Sequence, residues 1–179
     1  TKMTIETNVH RESRLAKLKA LQDKGYNPYP YRFRPDAFAA DLQEKYKELE
    51  PGADTEDRVT VAGRAMAVRN NGMFIDIKDI SGKIQAFCHK NHLSEEDIER
   101  LKCLDVGDMV GISGYVRRTP RGELSIAAEK FDIISKSLQP LPEKFHGLTD
   151  VDARYRQRYV DFIMNEDSKE IYKKRCQIT

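Results

Sequence analysis

The sequence predicts a mainly β fold with flanking helices, and three observations support this prediction. Between residues 58 and 135, apolar and polar residues alternate with a period of two in five segments, as expected for strands with one buried face. One helical segment, residues 94–104, interrupts the strands after the third, and helical segments precede the first. The order strand, strand, strand, helix, strand, strand is that of the five-stranded Greek-key barrel called the OB-fold. A small sandwich and an SH3-like barrel are the alternatives, and the interposed helix argues against both.

The first three strands are predicted from alternation and turn residues. RVTVAGRAMAVRN is the first, and a tight turn at Asn71 and Gly72 leads into MFIDIKD. A short turn from Asp79 to Gly82 then leads into GKIQAFCHK. The sequence therefore predicts two consecutive hairpins in this part of the chain.

The second half of the barrel begins with a helix. SEEDIERLKCL has Ser94 as its expected N-cap, with Asp97 three residues on. DMVGISGYVRRT and ELSIAAEKFDIIS are the fourth and fifth strands. Glycines within the strands are interpreted as the sharp bends of a small barrel, and these are Gly63, Gly111 and Gly114.

The segment before the barrel is predicted to be largely helical. Residues 8–25 form a helix that ends at Gly25, with a narrow apolar stripe of Leu15, Leu18 and Leu21. Residues 26–35 contain three prolines and are predicted to be extended, packed on the protein through their rings. Residues 36–49 resume a helix with one apolar face made of Phe38, Leu42, Tyr46 and Leu49.

Composition excludes several classes of protein. The formal net charge of +2, from 31 basic and 29 acidic residues, is too small to indicate a polyanion partner by itself. Three cysteines without a CxxC pair predict neither a disulfide framework nor a zinc site. No apolar run approaches ~18 residues and no signal peptide is visible, so we expect a cytoplasmic protein without a membrane contact.

A candidate binding face lies on the second and third strands, where OB-folds bind oligonucleotides. Phe74 shares the polar face of its strand with Asp76 and Lys78, because residues two apart point to one side. Antiparallel pairing places Gln85 on the same face, roughly opposite Phe74. A ring and an amide beside one gap form a slot for a flat base, as in single-strand binding. The alternative is that barrel curvature packs Phe74 into an apolar cluster with Phe87.

Further charged residues converge on this face or on its surroundings. Arg69 ends the first strand, and Glu123 starts the fifth, where a carboxylate can accept a hydrogen bond from a base. Backbone contacts are predicted for the basic loop after the fourth strand and for one side of the first helix. These residues are Arg117, Arg118 and Arg121 in the loop and Arg14, Lys17 and Lys24 in the helix. For each of them, an ordinary solvated surface position is the alternative.

The segment that follows the barrel carries a more specific signal. In LQPLPEKFHGLTDVDARYRQRYVDFIMN, Leu141, Pro142, Lys144 to Leu148, Asp150 and the run Arg154 to Asp161 closely resemble class II lysyl-tRNA synthetases. VAGRAMAVR, GKIQAF, VGD and GELSI in the barrel agree with this resemblance. It covers nearly the whole chain and is weakest over residues 1–12 and 36–57.

The resemblance implies a role for each candidate residue. Phe74 and Gln85 would hold the central anticodon uridine of lysine tRNA, and Arg69 and Glu123 would help to read anticodon uridines. The turn between Arg69 and Phe74 is shorter by about two residues than in the family pattern. Hinge or interdomain contacts are implied for Lys144, Phe145, His146, Gly147, Arg154, Tyr155, Arg156 and Arg158.

The implied domain organisation has four parts. Residues 1–57 form a helical extension, 58–138 the barrel, 139–153 a hinge, and 154–179 the start of a catalytic domain. No catalytic residue, metal ligand or cofactor is expected in this chain, since the ATP motifs of the family would follow residue 179. We therefore expect an inactive piece of a longer, homodimeric ligase that uses ATP and Mg²⁺.

Three other functions stay open at this point. Aspartyl- and asparaginyl-tRNA synthetases carry a similar barrel, although KFHGL followed by RYRQRY favours the lysyl type. A stand-alone OB module would bind single strands with weak base preference. A purely structural or dimerising domain would bind no RNA and would bury Phe74.

Overall fold

The computed structural model describes residues 2–142 and 150–178, and for residues 2–8 the backbone alone. It contains two compact units, residues 1–140 and 141–179. The first contains α1 (Lys2–Asp23), α2 (Ala39–Lys45), β1 (Asp54–Arg69), β2 (Phe74–Lys78), β3 (Lys83–Phe87), α3 (Glu95–Lys102), β4 (Met109–Arg118) and β5 (Leu124–Ser135). The second contains α4 (Val151–Arg156), α5 (Arg158–Met164) and α6 (Glu166–Ile178).

The strands form a closed barrel in the order β1-β2-β3-β5-β4. β1 pairs with both β2 and β4, which closes the ring, and β3 pairs with β5 in parallel while all other pairs are antiparallel. With α3 between β3 and β4, this topology confirms the predicted OB-fold. β1 starts at Asp54, four residues before the predicted start at Arg58, and the N-terminal helices belong to the same unit as the barrel.

Alternation along the strands fills the barrel with branched aliphatic side chains. In β2, Ile75 and Ile77 are almost fully buried, while Phe74, Asp76 and Lys78 are partly exposed, as predicted. The same cluster continues into Leu21 of α1 and into Leu42 and Tyr46. The N-terminal segment is therefore part of the hydrophobic core.

α1 ends as predicted but buries a different face. Gly25 has φ +75°, its N–H donates to the Gln22 carbonyl at 2.8 Å, and the Tyr26 N–H donates to that of Leu21 at 3.0 Å. This pair of bonds is the Schellman pattern of a helix C-terminus. Leu15, predicted to lie in the apolar stripe, is 38% exposed, and Arg14 is 8% exposed instead.

The segment between α1 and β1 differs in length from the prediction. The extended stretch after Gly25 packs on the barrel as expected, since the Tyr26 hydroxyl donates to the Ile133 carbonyl at 2.8 Å. The predicted helix 36–49 is shorter, Ala39–Lys45, and Phe38 precedes it with 44% exposure. Asp79, in the β2–β3 turn, accepts a hydrogen bond from the Ala39 N–H at 2.7 Å and so caps α2.

All three strand glycines permit close approach of other atoms, and at Gly63 these include the Lys78 carbonyl oxygen, 2.6 Å from where a Cβ would lie. A Cβ at Gly114 would lie 1.9 Å from the Ala127 carbonyl oxygen, beside the register shift between Ser113 and Gly114. A Cβ at Gly111 would lie 2.2 Å from the ring of Phe33. Gly114 therefore fits the predicted bend, whereas Gly111 makes room for an aromatic side chain of the extended segment.

Candidate nucleic-acid interface

The outer face of β2 and β3 and the loop before β5 border a groove of about 970 Å³. Its lining brings together the four residues predicted to read bases, which are Arg69, Phe74, Gln85 and Glu123. Lys83, Phe87, Arg117 and Arg121 also line it. Residues from four strands and two loops thus converge, although they are separated by up to 54 positions in the sequence.

Phe74 lies on this face, but its cross-strand partner is not the predicted one. It pairs with Phe87, and Gln85 pairs with Asp76, so Gln85 lies two pairs closer to the turn of the hairpin. The predicted register was wrong by two residues. The pair nearest the turn is Lys78 with Lys83, and this pair sets the register of the whole hairpin. A shift of two preserves the face, so Phe74 and Gln85 still point to the same side.

The rings of Phe74 and Phe87 form the apolar part of the groove. Their centroids are 5.2 Å apart and their planes are inclined by 41°. The predicted alternative, contact between these rings, is therefore observed, but neither ring is buried. Sequence reasoning assigned Phe87 only to that alternative, although its position two residues after Gln85 places it on the binding face.

Gln85 is held by its neighbour on β5. The Ser125 hydroxyl donates to Oε1 of Gln85 at 2.9 Å, and Ser125 itself is fully buried. Because this bond uses the acceptor end of the amide, the Nε2 donors are the end that can pair with a base carbonyl. Ser125 is thus a supporting residue that sequence reasoning missed.

Arg69 is oriented by an ion pair within the groove. Its Nη1 and Nη2 donate to the two carboxylate oxygens of Asp76 at 3.0 and 2.6 Å. The loop to β2 contains residues 70–73, with Asn70, Asn71 and Gly72 all at positive φ. The prediction of a tight two-residue turn was therefore wrong, since Arg69 itself pairs with Phe74 at the ends of the strands.

Glu123 lies immediately before β5, at the rim of the groove, and its side chain is exposed. The loop is closed by hydrogen bonds between its ends: the Thr119 N–H donates to the Glu123 carbonyl at 2.9 Å, and the Glu123 N–H to Oγ1 of Thr119 at 3.0 Å. These hydrogen bonds fix the backbone of a short loop that contributes both Glu123 and the exposed Arg121 to the lining of the groove.

The two other arginines of this loop region have different surroundings. The guanidinium of Arg117 lies 5.3 Å from the ring centroid of Phe87, and its Nε is 3.1 Å from Asp54. Arg118 donates to the carbonyls of Gly122 and Tyr46, each at 2.7 Å, and does not line the groove. These hydrogen bonds use Nη1 and Nη2 of Arg118 to hold the loop and the segment after α2, so the predicted contact of Arg118 with the RNA backbone stays a prediction.

The basic side of α1 is used inside the protein. The buried Arg14 donates to the carbonyls of Ser137 and Val106 at 3.0 and 2.9 Å, so its predicted contact with RNA is wrong. Lys17 pairs with Asp105 and Lys24 with Glu99, each at 2.6 Å. Because carboxylates pair both ammonium groups, Arg14, Lys17 and Lys24 do not form an unpaired basic side of α1 that could contact an RNA backbone.

The Asp105 that pairs with Lys17 belongs to a buried charge network. Lys136, with no exposed side-chain surface, lies 2.6 Å from Asp105 and 2.8 Å from Asp108. Burial raises the pKa of Asp108 although Lys136 opposes the shift, whereas for Asp105 the hydrogen bonds from Lys136 and Lys17 outweigh burial and lower the pKa. The network anchors α1 to the barrel.

The predicted hinge residues Lys144, Phe145, His146 and Gly147 lie outside the described residues. The interdomain candidates Arg154, Tyr155, Arg156 and Arg158 lie on α4 and α5 in the second unit.

Two of these arginines converge on one acid. Nε of Arg154 and Nη1 of Arg158 donate to Asp161 at 2.8 and 2.6 Å, and Asn165 donates to it as well. Burial opposes ionisation of Asp161, but the hydrogen bonds from Asn165, Arg154 and Arg158 outweigh it and lower the pKa to about 2. Tyr155 is exposed, with the Arg158 guanidinium 4.5 Å from its ring centroid. Arg154 and Arg158 therefore stabilise the packing of the helices within the second unit.

Residues 2–142 and 150–178 are the ranges that the structure describes. Within these ranges no group of three or more His, Cys, Asp or Glu side chains is arranged to hold a metal ion. No described helix has the length and apolar character needed to cross a membrane. Cys88, Cys103 and Cys176 are free thiols, in agreement with their spacing.

Comparison with known proteins agrees with this geometry. Residues 59–134 match the tRNA anti-codon family, which is described as an OB-fold nucleic acid binding domain. The chain is 48% identical over 167 residues to a lysine–tRNA ligase of Sinorhizobium medicae, covering 93% of the chain and 34% of the relative. It is 47% identical over 178 residues to that of Rhizobium leguminosarum bv. trifolii, covering 99% and 36%.

A plant protein shows the same relationship. The chloroplastic/mitochondrial lysine–tRNA ligase of Arabidopsis thaliana is 45% identical over 174 residues, covering 94% of the chain and 29% of the relative. The chain thus spans about a third of the length of the curated relatives it matches. Residues 59–134 thus match the tRNA anti-codon family of OB-fold domains, and the chain as a whole is similar to part of the lysine–tRNA ligases.

Proposed function

We propose that this chain binds the anticodon stem-loop of lysine tRNA through the groove formed by β2, β3 and the loop before β5. The observation that carries the proposal is the convergence of Arg69, Phe74, Gln85 and Glu123 on one groove. A ring supplies stacking, an amide and a carboxylate supply hydrogen bonds to base edges, and arginines supply contacts to phosphate or base carbonyls. Similarity to lysine–tRNA ligases supports lysine tRNA over the tRNAs of the aspartyl and asparaginyl enzymes.

The residues divide the work of recognition in a defined way. Phe74 and the Nε2 donors of Gln85 hold the central anticodon base, one by stacking and the other at a carbonyl. Arg69 and Glu123 contact the neighbouring bases, while Arg117 and Arg121 contact the backbone. A carboxylate repels phosphate, so Glu123 favours RNA only where it accepts a hydrogen bond from a base N–H.

Binding to several RNAs distinguishes this function from generic single-strand binding. The protein contains no tryptophan, so we label the RNA and measure fluorescence anisotropy. The lysine anticodon stem-loop is compared with a loop whose central uridine is cytidine and with the stem closed by an unrelated loop. We expect each change to weaken binding roughly tenfold, a difference of ~1.4 kcal/mol. Equal affinities that fall together with salt would indicate phosphate binding alone and favour a stand-alone OB module.

The proposed role of the whole protein follows from its relatives. We propose that the parent protein activates lysine with ATP and Mg²⁺ as a homodimer in the cytoplasm, and that residues 139–153 couple anticodon binding to its active site. The 179-residue chain itself should bind RNA without catalysing lysine activation. Lysine-dependent exchange of pyrophosphate into ATP tests this, and exchange above the background without protein would contradict it.

A further inference from the structure

A row of four rings runs from the groove into the turn after β3. The centroids of Phe74 and Phe87 are 5.2 Å apart, and those of Phe87 and His89 are 5.7 Å apart with planes inclined by only 29°. His92 follows at 5.9 Å from His89, in an edge-on arrangement at 61°. Phe74 and Phe87 line the groove and the two histidines do not, so the imidazoles extend the row beyond it.

The two imidazoles belong to a turn of defined geometry. The His92 N–H donates to the His89 carbonyl at 3.0 Å, and the Asn91 N–H donates to Nδ1 of His89 at 3.3 Å. Lys90 and Asn91, between the two histidines, are exposed. The sequence HKNH thus presents two rings, a cation and an amide on a single turn, which are the groups that hold a nucleotide.

The core does not require these rings. Cys88 and Leu93, which flank the turn, are the residues that enter the core, with 2% and 7% exposure. His89 is half-buried against Phe87, and His92 is exposed. Apolar burial therefore explains the neighbours of the two histidines but leaves the imidazoles themselves with an open surface.

The charge around this surface is compatible with RNA. Glu129 lies near His92, but both of its carboxylate oxygens are engaged by Arg58 at 2.8 and 3.0 Å. The guanidinium of Arg117 stands on the same ring row, 5.3 Å from the centroid of Phe87. An RNA chain that continues from Phe74 along the row of rings would therefore pass basic groups and an acid that is already paired with Arg58.

We propose that His89 and His92 form a second stacking subsite, which holds one unpaired nucleotide directly before or directly after the triplet whose central base is bound by Phe74. This inference rests on the proposed function, since it extends the same groove. The imidazole of His89, nearly parallel to Phe87, provides the platform, and His92 closes its far edge. The ligand is an unpaired RNA nucleotide next to the anticodon triplet.

The test uses the full chain and three labelled stem-loops. One is the intact lysine anticodon loop, and the others carry an abasic residue at the position directly before or directly after the triplet. Wild type is compared with His89→Ala/His92→Ala. Exposed His10 on α1 provides a matched control, His10→Ala, and thermal unfolding checks that each variant is folded.

The double variant should bind the intact loop about fivefold or more weakly than wild type. One abasic loop should bind wild type more weakly by a similar factor and should show no further loss with the variant. His89→Phe, which keeps a ring, should bind the intact loop as wild type does. Unchanged binding by the double variant, equal losses on all three loops, or a loss by His89→Phe as large as that of alanine would overturn the proposal.

The same RNAs separate this inference from the proposed function. Phe74→Ala should weaken binding of all three loops, because the triplet is intact in each of them. If Phe74→Ala has this effect and the histidine variants do not, only the second subsite is refuted. If Phe74→Ala also has no effect, the proposed function fails.

Discussion

Arg69 and Asp76 form a two-pronged ion pair inside the groove, with nitrogen–oxygen distances of 3.0 and 2.6 Å. Both side chains are partly exposed, at 50% and 33% of their surface, so solvent screens the pair and its contribution to stability is small. We expect a larger effect on recognition, because Asp76 fixes the guanidinium and offsets its charge. The groove thus holds an arginine that is oriented before RNA arrives.

Asp76→Asn should therefore increase the affinity for RNA and decrease the discrimination between bases. Without the carboxylate, Arg69 carries an uncompensated charge, so binding to any RNA at low salt should tighten and log Kd should depend more steeply on log salt, by about one unit. Discrimination between a central uridine and cytidine should decrease. Anisotropy titrations at several salt concentrations measure both quantities. Glu44→Gln, which removes an exposed carboxylate outside the groove, is the control, and an equal effect of both variants would contradict the role of Asp76.

Phe87→Ala should weaken RNA binding even though the sequence pointed first to Phe74. Phe87 contacts the ring of Phe74 and the guanidinium of Arg117, so its loss removes support for both. We expect a five- to tenfold loss of affinity, and a double variant with Phe74→Ala that loses less than the sum. The fully exposed Tyr31 gives the control Tyr31→Ala. Additive losses would show that the two rings act separately.

The contribution of each basic residue to RNA binding should depend on whether an acidic side chain already pairs with it. Arg121→Ala should reduce the salt slope of binding by about one, because the exposed Arg121 lines the groove. Lys24→Ala should leave binding unchanged, since Lys24 pairs with Glu99 away from the groove. Titrations against the same stem-loop at several salt concentrations compare the two variants. If Lys24→Ala reduced the salt slope of binding equally, the prediction that one side of α1 contacts the RNA backbone would be restored.

Acid should loosen the helices around Asp161. Its pKa is lowered to about 2, compared with ~3.9 for an unperturbed aspartate, so the ionised form stabilises the fold. This stabilisation is present above pH ~4 and is lost as the pH falls towards 2. Amide hydrogen exchange in α4–α6 should accelerate over this range in wild type, beyond the intrinsic change in exchange rate.

Asp161→Asn should lack this acid-dependent step and should exchange faster already at neutral pH. Asp167→Asn, an exposed acid in the same unit, should behave as wild type. Identical pH profiles for wild type and Asp161→Asn would contradict the assignment.

Short-range patterns in the sequence predict the barrel well, because alternation and turn residues are local. The cap at Ser94 and the C-terminus of α1 follow from the same kind of signal, and both are observed. Long-range contacts are harder to predict. Arg14 looked like a free surface charge, yet the carbonyls of Ser137 and Val106, both distant in sequence, make its burial favourable.

The site shows the same division. Face parity correctly places Phe74 and Gln85 together, but the exact register depends on where the hairpin begins to pair, which alternation does not specify. The parallel pairing of β3 with β5 brings Ser125 to Gln85, and no local signal reveals this pairing. Pairing across the Arg69–Phe74 loop likewise depends on three consecutive positive-φ residues, of which sequence reasoning used only the Asn-Gly dipeptide.

The central claim is that Phe74 is the platform for the middle base of the anticodon. The most direct test is a double-mutant cycle that combines Phe74→Ala with a change of the central uridine to cytidine in the labelled stem-loop. We predict that each change alone weakens binding roughly tenfold or more and that together they cost clearly less than the sum of their free energies. If the two free energies add, or if all four combinations bind alike, Phe74 does not contact that base.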